Sequence, residues 1–594
     1  MGKGLYAHSP YSCNKAIQNC KNHEKSILTG KRWFPYMKGG GFVKWYGLRH
    51  LLINWHNDGE EIRATGRATL RNQNYYFLDG VTWSSLSTKG FAVRWMEPGF
   101  LFDDKGSCGF PISCSKYDLI AILNSSFTGF ALSLLNPSIS FQSGDLSRIP
   151  FVNSNDAQKQ VLEILVSQAI WRAKLRSNQE ETSLDFVAPI LWVGGLQELT
   201  EAQLDLQQLE SQIDDEVFAM YGISSTDRAA IEAELAGGGM SEDEEETKEG
   251  KTEEEGKEDT PQSMNPAELA VRWISYAVSV VSGRFQPGIA GSLGSAIYRR
   301  SDFAIGSLPA PDEAEFDELV GPVEKFAYVD ENGGRHVFPA RVEKALQSLA
   351  LSDGIAVFDE GHPRDLPTLV EKALNLMLGE GAAREVIRDA TGEDSSTSLS
   401  ASLRKFLEKD FFTGWHVKWY RKRPVYWPIQ SSKRSYGFVL FHKKITRDTF
   451  YAIQREPYLD TKRNAVALKM ADLQASLARA TGTARKKLEK ELDDLRKLSD
   501  ELAEFAKELE AITLGGYEPE PDWIDDGVIL RMAPLWKVLP IWKSEPKKYW
   551  ERCEAGDFDW SRIAMRYWPE RVREKCKTNK SYAIAHGHEE WFEG

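Results

Sequence analysis

Between residues 241 and 262 the chain passes through a stretch it cannot bury, and that stretch divides everything around it. Residues 242–259 hold eleven Asp/Glu against three Lys, a net charge of −8 in one short run. Such a segment has no apolar surface to offset the entropy of ordering. It is expected to be a disordered tether and the clearest boundary in the chain. A length of 594 residues carries a prior of about four domains. The hydrophobic share of 42% is enough for real cores on both sides of the tether. The expected divisions are 1–150, 151–240, the acidic linker 241–264, 265–400 and 401–594.

Hydrophobic spacing assigns the parts. Residues 31–150 read as mixed and β-rich. Tyr75 to Gly80 reads as a strand running into a turn, and Phe91 to Trp95 alternates in strand fashion. Tyr117 to Leu135 has helical spacing interrupted by Asn/Ser breaks. Residues 155–235 read as helical, with Leu162, Leu165, Ala169 and Ile170 on one face and Leu206, Leu209, Ile213 and Val217 on another. Beyond the tether, Glu268 to Val281 reads as an apolar helix and 310–400 as a small helical region. From Val466 to Ile512 two leucine-rich stripes flank Thr481-Gly-Thr483, which predicts an antiparallel helical hairpin over 464–512. Residues 517–594 are rich in Trp and cations and irregular in pattern. The fold class is therefore α+β, a β-containing first domain followed by mostly helical domains with a helical hairpin.

The net charge of −13 argues at first against a nucleic-acid partner. Its distribution reverses that. Residues 1–150 hold seventeen Lys/Arg and ten Asp/Glu, and residues 404–448 hold twelve and three. Binding to a phosphate backbone depends on local fields, not on the whole-chain sum. Within these regions cations and aromatics interleave, as in Lys31-Arg-Trp-Phe-Pro-Tyr-Met-Lys-Gly-Gly-Gly-Phe-Val-Lys-Trp-Tyr46 and Trp419-Tyr-Arg-Lys-Arg-Pro-Val-Tyr-Trp-Pro428. Cations neutralise phosphates, aromatics stack on bases, and glycines permit close backbone approach. Lys31, Arg32, Tyr36, Lys38, Lys44, Arg421, Lys422, Arg423, Lys433 and Arg434 are the candidate backbone contacts. Arg49, Asn72, Arg94 and Gln142 are candidates for base edges, since Arg suits guanine and Asn or Gln suits adenine. Core packing is an equally good reading of Trp45, Trp95 and Trp427.

Other chemistries find little support. Cys13 with Cys20, and Cys108 with Cys114, lack the tight pairing of a zinc ribbon. His586 and His588 beside Glu589 and Glu590 match no hydrolytic zinc motif. Gly288-Ile-Ala-Gly-Ser-Leu-Gly294 has glycine spacing but no strand leading into it, so it is weak evidence for a nucleotide site. The chain contains no Pro-Pro dipeptide. The Asn/Asp-Pro-Pro-aromatic segment that an adenine methyltransferase uses on a flipped base is thus absent. No apolar run approaches membrane-spanning length, and six cysteines suit a reducing cytoplasm. A cytoplasmic protein is expected, with no membrane partner.

Many segments together resemble the C-terminal half of the PglX-type adenine-specific DNA methyltransferases of BREX phage defence, with a TaqI-like specificity domain. They include Lys44-Trp-Tyr-Gly47, Ile53-Asn-Trp-His-Asn-Asp-Gly59, Asn74-Tyr-Tyr-Phe-Leu-Asp-Gly-Val-Thr-Trp83 and Gly99-Phe-Leu-Phe-Asp103. Phe141-Gln-x-Gly-Asp-Leu-x-x-Ile-Pro150 closes the recognition region. Ile213-Asp-Asp-Glu-Val-Phe-Ala-Met-Tyr-Gly-Ile223, Ile274-Ser-Tyr-Ala-Val278 and Arg423-Pro-Val-Tyr-Trp427 continue the likeness. The resemblance implies that 1–150 is a target-recognition domain, that 151–240 supports it, and that double-stranded DNA is the partner. S-adenosylmethionine is implied for a separate catalytic half, and none is expected to bind this chain, which alone is expected to be inactive. A second reading makes the chain a non-catalytic interaction component that docks other defence proteins through the hairpin and the acidic linker.

Overall fold

A computed structural model describes residues 6–8, 33–64, 69–136, 138–237, 264–285, 328–329, 335–336, 340–393, 398–416, 424–517, 519, 528–542 and 544–593. The acidic tether, Cys13, Cys20 and the Gly288–Gly294 segment lie outside them. The described structure is α+β, with most strands in the N-terminal region and helices dominating the rest.

The N-terminal part holds two small sheets. The first joins β1 (Tyr6–His8), β2 (Trp33–Met37), β3 (Leu51–Asn54) and β6 (Leu101–Phe102) in the order β1-β3-β2-β6, with only β2–β6 parallel. The second is antiparallel, β5-β4-β7, from β4 (Gly80–Ser84), β5 (Val93–Met96) and β7 (Gly106–Gly109). Strand alternation gives this second sheet two different faces. Val81, Trp83 and Val93 join the core of the helical layer behind it. Thr82, Ser84, Arg94 and Cys108 point to the other side, where the end of β2 and Gly39–Gly41 lie across them.

The expected strand at Tyr75–Gly80 is corrected. Residues Gln73–Tyr75 form a short 3-10 turn entered from Asn72 in the left-handed region, and the strand begins at Gly80. Asn tolerates that conformation, and the turn turns Tyr76 and Phe77 into the core.

Helix α1 (His56–Ala64) follows β3, and the apolar run 116–135 forms α2 (Lys116–Asn124) and α3 (Ser126–Leu135). Ser125 ends one and caps the other, accepting from Thr128 N, and the two axes bend by 63°. α4 (Asp156–Ser177) and α5 (Gly195–Met220) pack on α2, burying Leu162, Val166, Ala169, Ile213 and Val217. α6 (Ser225–Gly237) contacts α3.

Beyond the tether, α7 (Pro266–Ser282) is capped by Asn265, starts on proline, and ends at Gly283 with φ 74°. It is buried nearly all round, packed chiefly on α9 (Leu366–Thr391) and also on α8 (Ala340–Leu349), while α10 (Leu399–Phe406) lies against α9. β8 (Tyr328–Val329) and β9 (Arg335–His336) pair antiparallel. The region 310–400 also contributes β10 (Ile355–Val357), which was expected to be helical. It pairs with β12 (Gly437–Phe441), and β12 with β11 (Tyr426–Gln430), so one sheet crosses the division expected at 400. Pro428 is tolerated because β11 is an edge strand.

Both faces of this sheet are covered. Tyr426, Val439 and Phe441 face the α7–α9 core. Trp427, Ile429, Phe438 and Leu440 face the hairpin of α11 (Leu459–Leu477) and α12 (Gly482–Leu514), through Leu502, Phe505 and Leu509. Lys469 on α11 meets Glu491 on α12 at 3.0 Å, the antiparallel pairing that the leucine stripes predict. The remainder folds as short helices between Val528 and Trp591, where the sequence pattern was irregular.

Candidate nucleic-acid interface

The predicted contact residues divide by what surrounds them. Lys31, Arg32, Arg421, Lys422 and Arg423 lie outside the described residues. Tyr36, Arg49 and Arg94 are inside the protein, at 2%, 6% and 1% exposure. Lys38 and Lys44 are half-buried, while Asn72, Gln142, Lys433 and Arg434 are exposed.

Tyr36 packs with Phe34, Ile53 and Trp55 between strands, which leaves no ring face for a nucleotide. Arg49 is a strut. Its Nε donates to Asp185 Oδ2 at 2.6 Å and its Nη2 to Glu97 Oε2 at 2.8 Å, and its guanidinium lies over the rings of Tyr46 and Phe100. Burial pushes the Asp185 carboxyl up, but the charges of Arg49 and Lys174 and the hydrogen bonds from Arg49 and Tyr46 together outweigh that and hold it below the usual carboxylate range. A guanidinium held this way ties the β-rich part to residues 183–188, and its remaining Nη1 is buried, out of reach of a base edge. The expectation of base contact by Arg49 is corrected accordingly.

Arg94 differs. No carboxylate lies within ion-pair distance of it among the described residues. Nη1 reaches Ser84 Oγ at 3.4 Å, and Nε has no hydrogen-bond partner. Burial pushes this guanidinium down to about 10. Base contact by Arg94 is corrected as well, because its head lies beneath the strand-end backbone. The glycine triplet explains the closeness. A Cβ on Gly39 would sit 2.1 Å from Lys105 O, and one on Gly106 would sit 2.6 Å from Met37 O. These glycines let one backbone press on another.

The segment Phe141–Pro150 is a structural corner. Trp83 Nε1 donates to Phe141 O at 3.1 Å, and Phe141 N donates to Ser85 O. Asp145 accepts from Gln142 N at 2.9 Å and from Asn136 Nδ2 at 3.0 Å. Tyr221 Oη donates to Pro150 O at 2.5 Å, fixing the exit toward α4. Gln142 itself projects outward from this corner.

The basic run 404–448 is thinner than its composition suggests. Arg404 forms two bonds to the buried Asp365, at 3.0 and 2.6 Å. Lys405 binds Glu393 at 2.9 Å, and Lys444 donates to Leu351 O at 2.6 Å. Among the described residues of the run, Lys405, Lys409 and Arg447 are also exposed, and on the β11–β12 turn Lys433 and Arg434 stand side by side in solvent. Arg434 has φ 62°, and its N–H closes the turn onto Ser431 O at 2.8 Å. Glu501 holds the turn from α12. Its Oε1 accepts from Ser431 Oγ at 2.6 Å, Lys433 N at 2.9 Å and Ser435 N at 3.4 Å. Sequence reasoning missed Glu501, Ser84 and Asp185. Their partners are 70, 10 and 136 residues away, so no local pattern connects them.

Among the described residues no three His, Cys, Asp or Glu side chains cluster as a metal site. Burial pushes the Cys108 thiol up to about 12. His586 is bonded to Asp559 O at 2.8 Å, and His588 stacks on Trp591. No single described helix is long and apolar enough to cross a membrane.

No protein-family profile matches the chain. Two curated proteins do. The Adenine-specific methyltransferase BrxX of Escherichia coli O9:H4 (strain HS) is 26% identical over 508 residues, covering 80% of this chain and 37% of its own length. The Adenine-specific methyltransferase PglX of Lacticaseibacillus casei (strain Zhang) is 27% identical over 529 residues, covering 85% of this chain and 39% of its own. The chain thus spans under two fifths of the length of these relatives. Over that span it is similar to these two adenine-specific methyltransferases.

Proposed function

We propose that this chain belongs to a site-specific N6-adenine DNA methyltransferase of a BREX-type phage-defence system and performs its sequence recognition. The observation that carries this reading is the likeness to BrxX and PglX, which runs through 80–85% of the chain. The chain contributes a β-rich part and helical supports, while no Pro-Pro segment for gripping a flipped adenine occurs in it. The methyl donor S-adenosylmethionine would then be held by a catalytic part outside these residues.

In this reading residues 31–150 lie along a groove, with Asn72 and Gln142 as the exposed amides for adenine edges. Lys38 and Lys44 neutralise phosphates there. The Lys433–Arg434 turn, with Arg421, Lys422 and Arg423 preceding β11, clamps the backbone from the C-terminal side. Gel shifts with duplex DNA at low salt, by the chain alone and with a catalytic methyltransferase part added, test the proposal. A retarded band that nonspecific competitor only partly removes supports it. No retardation in either mixture overturns it.

A further inference from the structure

Two arginines of the β-rich part are fully buried, and they are treated oppositely. Arg49 has two carboxylates. Arg94, at 1% exposure, has one long contact to a hydroxyl and an Nε with no partner. Burying a charge without compensation is among the costliest arrangements a fold can hold, and removing such a charge is ordinarily neutral or stabilising. The surroundings of Arg94 show what the charge faces. Ser84 Oγ stands between the guanidinium and the glycine triplet, 2.6 Å from Gly40 O, 3.0 Å from Gly41 O and 3.1 Å from Gly40 N. Gly40 is exposed, and the triplet carries no side chain to cover the approach. The Arg94 guanidinium and the Gly40 N–H thus both point at Ser84 Oγ, whose own hydroxyl donates to the Gly40 and Gly41 carbonyls, just beneath an exposed glycine. All three are donors suited to one tetrahedral oxyanion.

We propose that Arg94, Ser84 and the Gly39–Gly41 backbone form a phosphate-binding site, filled by a backbone phosphodiester of duplex DNA. The phosphate oxygen takes the N–H that Arg94 now directs at Ser84, and the Ser84 hydroxyl and Gly40 N–H turn to the remaining oxygens. Arg94 thereby contributes position and affinity without reading a base. The glycine triplet serves twice, once by pressing onto β4 and β7 and once by covering Arg94 with backbone alone, which shifts to admit the phosphate. The choice of DNA as the phosphate source rests on the DNA-recognition reading, whereas the site itself does not.

Two measurements on the purified chain separate these claims. In the first, melting temperature is followed against inorganic phosphate, with chloride at matched ionic strength as reference. In the second, duplex DNA affinity is followed against salt. Wild type is expected to melt higher in phosphate. Arg94→Met is expected to be no less stable than wild type in chloride, to lose the phosphate response, and to bind DNA about tenfold more weakly with a salt slope smaller by about one. Ser84→Ala removes a donor with little change of shape and should weaken the phosphate response, which keeps the test open if Arg94→Met fails to fold. An unchanged wild-type melting temperature in phosphate overturns the site. A phosphate response lost in Arg94→Met with unchanged DNA affinity upholds the site and overturns DNA as its source. Absence of any DNA binding by wild type overturns the recognition reading, while the phosphate titration still decides the site.

Discussion

Glu501 Oε1 accepts the Ser431 hydroxyl at 2.6 Å and so fixes, from α12, the turn that displays Lys433 and Arg434. The carboxylate is itself buried, at 7% exposure, and occupies the cradle of turn N–H groups that an anion would otherwise fill. Glu501→Ala leaves Lys433 N and Ser435 N without an acceptor and should cost about 1–3 kcal/mol in urea unfolding. Glu501→Gln keeps an acceptor and should cost less. Burial raises this carboxyl, but the bonds from Ser431 and Ser435 prevail and hold it below the usual glutamate value. A depressed folded-state value means that its stabilisation is present above the unfolded value and fades as pH falls through the folded one. Acid titration of wild type against Glu501→Gln checks the sign.

Arg49 should behave as a structural residue. Arg49→Met leaves the half-buried Asp185 and Glu97 with only Lys174 nearby and should destabilise by up to about 3 kcal/mol. In whatever fraction remains folded, the salt slope for DNA should match wild type. A slope reduced by about one would return Arg49 to the interface.

His416 supplies a pH dependence of a different kind. Its Nε2 accepts from Val425 N at 3.2 Å and Tyr426 N at 3.4 Å, and its ring stacks on Trp542. Burial, aided by Arg284, pushes it down to about 3. The unfolded chain therefore takes up this proton between the ordinary histidine value and about 3, where the folded chain does not. Its stabilising effect is complete above the ordinary value and is lost toward acid, at about 1.4 kcal/mol per pH unit for one such group. Chemical unfolding between pH 7 and 4 should show that slope, reduced in His416→Gln.

The hairpin should stabilise the sheet it covers. Leu502→Ala removes a fully buried side chain packed against the β10–β12–β11 face and should cost about 2–5 kcal/mol. Leu468→Ala on the outer surface, at 69% exposure, should stay within about 0.5 kcal/mol of wild type. Equal losses at the two positions would mean that the hairpin packs by its other face.

What the sequence revealed follows from range. The helices at 266–282 and 459–514 are carried by local periodicity, caps and a glycine break, and each appears where the pattern placed it. The bend at Ser125 was marked by the same Asn/Ser chemistry that caps it. The Tyr75–Gly80 strand was misread because β propensity in Tyr75 and Tyr76 says nothing of the left-handed Asn72 that starts a turn. Strand β10 was missed because three residues carry no period, and its partner lies more than 80 residues on. At the candidate interface, cation count was legible, but cation availability was not. Arg49, Arg404 and Lys405 look like Lys433 and Arg434 in the sequence until Asp185, Asp365 and Glu393 arrive from distant segments.

The most direct measurement of the central claim is the salt dependence of duplex DNA affinity, by fluorescence anisotropy, for wild type and the Lys433→Ala/Arg434→Ala double variant. Both side chains are exposed on a turn held by Glu501, so stability should hold within about 0.5 kcal/mol. The account predicts salt-sensitive binding by wild type, and weaker binding by the double variant with a log–log slope shallower by up to about two. Identical affinity and slope in the two proteins, or no binding by wild type at low salt, would contradict it.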